Sequence, residues 1–356
     1  MLLLAFVSEA AWAQDLGVIT SLRGNVSVER ELQTHASDVA AGFSLQNFDR
    51  VTTGADGAAQ IALSPASGLA ATITVKSNSS LVVELQAKSG LKQAAIGLLT
   101  GSIDLAMQSS AVASELYLRT EGALLRISST KSEVTTTLSG DLLVSVNEGT
   151  IQCEDANGDI LFAVPQRAVE MIEGGVFRNL PVQPAHIDAF RNSWAAQRYA
   201  AFRTNAQQIA SRYAERFIAL RPQFDVAYRA LMAHRQTLDQ WFSEDLAGKS
   251  SPDGSASRTA SIATDLLHIR RLQFAFERVV NRINGIERYY EEVGRWKDTP
   301  QFAFARFFAE FQNQKAQIAE RMDTVRYVSK LYVQRGGKVQ LDSIPPYIGA
   351  GPSTGQ

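Results

Sequence analysis

A change of hydrophobic period near Pro181 and Pro184 divides this 356-residue chain into two kinds of sequence. Before it, from about Asp15 to Arg178, apolar residues come in short words: Val26-Ser27-Val28, Gln60 to Leu63, Ala71 to Val75, Leu81 to Leu85, Ser102 to Leu105, Leu116 to Leu118 and Leu142 to Val146. A period of two sends successive side chains to opposite faces of a strand. Between the words stand Gly24-Asn25, Asp56-Gly57, Asn78-Ser79-Ser80 and Asn147-Glu148-Gly149, residues that accept positive φ or bond their own backbone. Strand words recurring every 8 to 12 residues or so, with no long helical word among them, predict an all-β sandwich, roll or solenoid rather than βαβ units.

After the prolines the period becomes 3.6. Ile209, Tyr213, Phe217 and Leu220 form one helical stripe, which Pro222 is expected to end or kink. Phe224, Tyr228, Leu231, Leu238, Trp241 and Phe242 resume an apolar face, and AGKSSPDGSASR over residues 247–258 has the composition of a flexible linker. A second amphipathic stretch runs from Thr259 to about Val293. Thr299 as cap and Pro300 at the first helical position open a third, which Gly336-Gly337 closes. An all-α bundle or long helical hairpin of three or four helices follows.

Charge divides along the same boundary. Residues 1–183 hold 11 Lys and Arg against 19 Asp and Glu, and residues 184–356 hold 24 against 17. Opposite nets of −8 and +7 would let the halves dock on each other, or let the helical half approach an anionic surface; basic residues coating solvated helix faces explain the same counts. The opening MLLLAFVSEAAWAQ joins an apolar run to Ala11-Trp12-Ala13, a small-x-small pattern expected of a secretory signal peptide over residues 1–13 whose start reads as truncated. No later stretch approaches the roughly 18 apolar residues of a membrane span.

Chemistry is sparse in the sequence. His35, His186, His234 and His268 are scattered, and no pair has the spacing of a helical metal site. Cys153 is the only cysteine and lies in an alternating apolar run, which predicts packing rather than catalysis. Gly140, Gly149 and Gly158 recur every ninth residue around Asp155-x-Asn157-x-Asp159. A calcium loop of the EF-hand kind would need Gly where Ile160 stands and Glu where Gln166 stands, so a strand-turn-strand rhythm is expected, with each Gly opening the next strand. Phe302, Phe304, Phe307, Phe308 and Phe311 are expected in a helical core rather than on a docking strip. Trp194, Trp241, Trp296, Tyr289 and Tyr290 are candidate glycan platforms that nothing fixes in a cleft. No catalytic, cofactor-binding or metal-binding residues are assigned.

The β half resembles the FecR-like domain of bacterial envelope proteins. Gly17-Val18 and Gly24-Asn25-Val26-Ser27-Val28 are similar to its opening strands, and Leu45-x-x-Phe48-Asp49-Arg50-Val51-x-Thr53-Gly54, followed by Gly57, Ala59, Ile61 and Leu63, to its most recognisable phrase. Further on, the family carries Thr-Pro-x-Ala, three variable residues, then Val-Arg-Gly-Thr. The aligned run here is Thr120-Glu121-Gly122-Ala123, Leu124-Leu125-Arg126, Ile127-Ser128-Ser129-Thr130, so both the proline and the Arg-Gly pair are replaced. The resemblance implies the periplasmic module of a signal regulator, which in the best-known members is joined by a membrane span to a segment restraining a sigma factor.

These readings give a multidomain β + α chain: a signal peptide at 1–13, a FecR-like all-β domain at 14–180, a helical domain at 185–336 with its linker at 247–258, and a disordered tail at 337–356. With neither a span nor a cytoplasmic segment visible, the expected function is an exported, periplasmic, non-enzymatic envelope protein. Its β domain would bind a protein partner, peptidoglycan or another anionic surface, and its helical domain would serve assembly or homo-oligomerisation. A periplasmic accessory in envelope signal transduction is the first alternative and a glycan-active enzyme the second. Neither a cofactor nor nucleic acid is expected.

Overall fold

A computed structural model describes residues 17–30, 33–35, 39–63, 69–88, 91–108, 115–173, 175–248, 256–293 and 304–338. The expected signal peptide, the cap Thr299-Pro300 and most of both the 247–258 linker and the tail lie outside them. Strands come first: β1 (Gly17–Arg23), β2 (Val26–Arg30), β3 (Gln33–His35), β4 (Ser44–Leu45), β5 (Arg50–Thr53), β6 (Ala58–Leu63), β7 (Ala71–Val75) and β8 (Ser80–Lys88). There follow β9 (Leu91–Met107), β10 (Glu115–Thr120), β11 (Ala123–Thr136), β12 (Leu142–Asp155), β13 (Ile160–Ala163), β14 (Arg167–Met171) and β15 (Phe177–Pro181). A short 3-10 turn, Pro184–His186, leads into α1 (Ile187–Met232), α2 (Arg235–Leu246), α3 (Ala256–Glu292) and α4 (Ala305–Gln334). The change of period thus coincides with the change from sheet to helix.

Hydrogen bonds join the strands into one open sheet in the order β15-β14-β12-β11-β10-β9-β7-β6-β1-β4, with β13 on β12 and with β8, β5, β2 and β3 branching from β9. Strand β9 makes the branch possible. Its first part lies between β8 and a parallel β10; from Gly101 onward it lies between β7 and β11. Gly101 has φ +89°, and a side chain there would meet Ser79, so the change of partners falls at a residue without one. Inward residues at every second position, including Ile19, Val28, Ile61, Ile73, Ile96 and Leu125, build one apolar core with Cys153 inside it.

The nine-residue glycine rhythm proves to be two turns and a bulge. Gly140 lies in the turn between β11 and β12, and Gly158 in the turn between β12 and β13. Gly149, expected to open a strand, instead lies within continuous β12, where the register with β11 shifts. Its φ is +87°, and a Cβ would lie 2.2 Å from the Ser129 carbonyl oxygen. A bulge admits the extra residue without breaking the strand.

Pro222 does not end its helix. Its missing N–H would have bonded the carbonyl of Ile218, and both residues lie on the exposed side of the helix. The non-helical residue of α1 is Asn205, at φ −110° and ψ 16°. Before that kink α1 is anchored to the sheet by Trp194 Nε1 donating to Glu170 (3.0 Å) and Arg191 Nε donating to Ser145 Oγ (2.7 Å). Beyond it, Phe217, Phe224, Phe276, Phe308 and Phe311 are buried together, as their helical spacing predicts. Gly336 ends α4 at φ +82°: its N–H and that of Gly337 bond the Val333 and Tyr332 carbonyls.

Gly149→Ala and Gly158→Ala distinguish bulge from turn. Both force alanine to positive φ, costing about 1–2 kcal/mol, but only position 149 also faces a carbonyl within contact. Urea midpoints should fall further for Gly149→Ala; equal losses would refute the packed bulge.

Candidate functional site

Strands β8, β9 and β10 alternate strictly, yet both of their faces are covered. Leu81, Ile96, Leu98, Leu116 and Leu118 point into the sheet core, while Val82, Glu84, Ala95, Gly97, Leu99, Tyr117 and Arg119 occupy the opposite face and are buried by helices or fit against them. In register, Val82, Gly97 and Arg119 form one row and Glu84, Ala95 and Tyr117 the next. Helix α3 lies along this face, presenting Arg270, Phe274, Arg278 and Arg282 at every fourth residue, a spacing that keeps them on one side.

Phe274 fits against Gly97: a Cβ on that glycine would lie 2.2 Å from the ring. The ring lies between two guanidiniums, Arg119 from the sheet and Arg278 from its own helix, each 4.9 Å from its centre. Such contacts contribute about 2 kcal/mol or more when desolvated.

Two carboxylates of the sheet meet the arginine stripe. Glu84 Oε1 pairs with Arg119 Nη2 at 2.7 Å and Arg270 Nη2 at 2.5 Å. Glu121, in the turn from β10 to β11, accepts from Arg216 Nη1 at 2.6 Å and from the Tyr213 hydroxyl at 3.2 Å, with Arg282 Nε 3.6 Å away. Arg278 donates to the Thr120 carbonyl (2.7 Å) and Arg282 to that of Thr137. Burial by itself would raise both carboxyls. The arginines outweigh it, holding Glu84 and Glu121 below the ordinary glutamate value. Arg278 is pushed down to about 10, first by burial and then by Arg282 and Arg216, while Glu121 opposes the fall.

A third ionic contact joins α4 to the sheet. Arg326 pairs with Glu29 of β2 at 3.3 Å and with Glu277 and Asp323, and Lys330 donates to Gln46 (2.8 Å). Phe48 lies beside them at φ +71°, unusual for a bulky side chain and costing of order 1–3 kcal/mol. Its N–H bonds the Val83 carbonyl (2.8 Å), and the Arg270 guanidinium lies 4.6 Å from its ring centre. Asp49 fixes the turn, accepting from the Gln46 N–H (2.8 Å) and from Arg30 (2.6 Å). The cleft between these elements encloses about 10 Å³. That admits a single water, against the roughly 300–1,000 Å³ of small-molecule pockets. The arrangement is therefore suited to holding surfaces together.

The residues weighed in the sequence fall elsewhere. Cys153 is fully buried and its thiol is pushed up to about 12 by desolvation, which makes it inert. Asp155 Oδ1 accepts from the backbone of Asn157 (2.8 Å) and Asp159 (3.0 Å), an Asx turn. Trp194, Trp241, Tyr289 and Tyr290 are buried and offer no exposed platform; Trp296 lies outside the described residues, as does Phe302. His234 bonds Asp265 at 2.8 Å. The sequence reading missed the arginines of the seam, because a charge every fourth residue resembles a solvated face. The unbroken apolar run Ala94 to Leu99 was the available signal, since it implies a strand covered on both sides.

Removing Glu121 should be costly. Glu121→Ala leaves Arg216, Arg278 and Arg282 buried without their carboxylate, and loss of one partner of a buried pair costs about 3–5 kcal/mol in urea unfolding. The lowered carboxyls also set an acid dependence. Their contribution to stability is complete above the ordinary glutamate value of 4.5 and is lost as pH falls through the lower folded values. The wild-type unfolding free energy should therefore decline in that window, and the decline should be shallower in Glu84→Gln/Glu121→Gln. Parallel pH profiles would contradict the assignment.

The sequence matches the FecR protein family over residues 49–152, an interval that contains Glu84, Gly97, Arg119 and Glu121. Two crystal structures of a candidate anti-sigma factor from Parabacteroides distasonis ATCC 8503 are similar to the chain at 10% and 12% identity, with TM-scores of 0.33 and 0.32. Each alignment covers 40% of this chain and 63% of the other, so the chain spans less than two thirds of those proteins. No curated protein matches. The family match, running from the Asp49 turn into β12, places a FecR-like region within the β half of this chain.

Proposed function

We propose that this protein is a non-enzymatic, protein-binding component of envelope signal transduction, exported to the periplasm, in which the FecR-like module engages a protein partner. The observation that carries the proposal is the FecR match over residues 49–152. The first alternative, a periplasmic accessory in envelope signal transduction, fits this match better than a partner- or cell-wall-binding scaffold. The buried carboxylates Glu84 and Glu121 are each held by arginines of this chain. A glycan-cleaving site would instead need two carboxyls facing one cleft. The helical half serves as a large cover on the module, and assembly through it is a further part of the proposal.

Localisation and partnership are tested together. A tagged full-length protein in its native cells should fractionate with the periplasm, and in-cell crosslinking followed by mass spectrometry should recover a membrane-spanning regulator or a receptor. Capture of glycan strands alone, or a cytoplasmic location, would overturn the proposal.

A further inference from the structure

Helix α1 buries one side and leaves the other open. Along its outer side run Glu215, Ile218, Pro222, Val226 and Arg229, all exposed, Ile218 at 63% and Val226 at 58%. At 3.6 residues per turn these five positions fall within about 40° of the Pro222 direction, so they form one line. Tyr213, Phe217, Leu220, Phe224 and Leu231 supply the helical core from the opposite side of α1, and the line takes no part in it. Single exposed apolar residues are ordinary on a protein surface, but three in successive turns make a continuous stripe. Helix formation does not ask for them either: Ile and Val are weaker helix formers than Ala, Leu or Lys, and Pro is the weakest.

The chemistry of the line is symmetric about its centre. Ile218 and Val226 stand four residues either side of Pro222, and Glu215 and Arg229 stand seven either side. A two-fold axis through Pro222 therefore sets Ile218 against the partner's Val226 and Glu215 against the partner's Arg229, each contact occurring twice. Apolar meets apolar and acid meets base with the same patch on both chains, as an isologous interface requires. A parallel pairing would instead oppose like charges. Within the chain the Glu215 carboxylate accepts from the Ser211 hydroxyl (3.3 Å) and Arg229 Nε donates to the Asp225 carbonyl oxygen (3.3 Å). The Asp225 carboxylate, one turn from Arg229, is paired with Arg321 (2.6 Å) and Arg221 (3.5 Å), so among the described residues neither Glu215 nor Arg229 has an ion-pair partner.

We infer that this stripe is a dimerisation surface whose occupant is a second copy of this chain, docked antiparallel on α1 about an axis at Pro222. The contact from Glu215 to Arg229 spans about 21 Å of helix. That falls short of obligate interfaces, so the dimer forms reversibly and depends on concentration. The inference rests on the assembly through the helical half proposed above and names its surface and partner.

Sedimentation velocity of the full-length chain over a concentration series reads the association. The wild type should dimerise and Ile218→Asp/Val226→Asp should not, while circular dichroism and the urea midpoint stay at wild type because both positions are exposed. Should that double variant unfold, the charge variants decide alone. Glu215→Arg and Arg229→Glu each place like charges at both outer contacts and should weaken the dimer about tenfold. Mixing these two variants returns opposite charges to both contacts, so a heterodimer of wild-type affinity should form; only the antiparallel register gives this rescue. A wild type that stays monomeric would overturn the inference, as would a dimer indifferent to the apolar substitutions or a mixture that restores nothing. A monomer that holds a different protein on this stripe would assign the face to a foreign partner and equally overturn it. Association is read on the purified chain, so it can fail while in-cell crosslinking still captures a regulator, and can hold where none is captured.

Discussion

Burial of the Glu121 carboxylate among Arg216, Arg278 and Arg282 is the constraint on which the relation of the two halves depends. A carboxylate taken out of water is tolerated only where opposite charges and hydrogen bonds replace its hydration. Those replacements come from α1 and α3, more than 90 residues away in the chain. The guanidiniums of Arg278 and Arg282 in turn bond the carbonyls of Thr120, at the end of β10, and Thr137, in the β11–β12 turn. Glu121 stands where the family resemblance places a proline. A proline there would have left the turn without the charge that holds the helices.

The same logic explains the polar character of the seam. One carboxylate faces three arginines, and Arg278 is depressed first by its burial and then by the neighbouring Arg282 and Arg216. Packing compensates in part: Arg119 and Arg278 stack on Phe274, and Arg270 lies over Phe48. Flat guanidiniums are well suited to this because they can be desolvated on a ring face while hydrogen-bonding at their edges. Lysines could not do both.

Much of the fold was legible in the sequence, since period and turn chemistry act locally. Alternation marked the strands, helical spacing placed Phe308 and Phe311 in a core, and Cys153 read as a packing residue. Gly149 was misread, and Pro222 does not end its helix, because each has a strong local meaning that its surroundings modify. Pro222 lies on the exposed side of α1, and β11 accommodates Gly149 as a bulge. The candidate site was hardly legible, because arginines at four-residue spacing look alike whether water or a carboxylate faces them.

The sequence by itself determined a β half, a helical half and their opposite charges, because strand alternation, helix stripes and net charge need no knowledge of partners. Only the tertiary structure decided which charges meet. Whether Arg270 is a solvated surface residue or the partner of Glu84 depends on where α3 lies on β8 and β9. That placement is set by long-range complementarity, the bare backbone of Gly97 receiving Phe274, which has no signature in either segment alone.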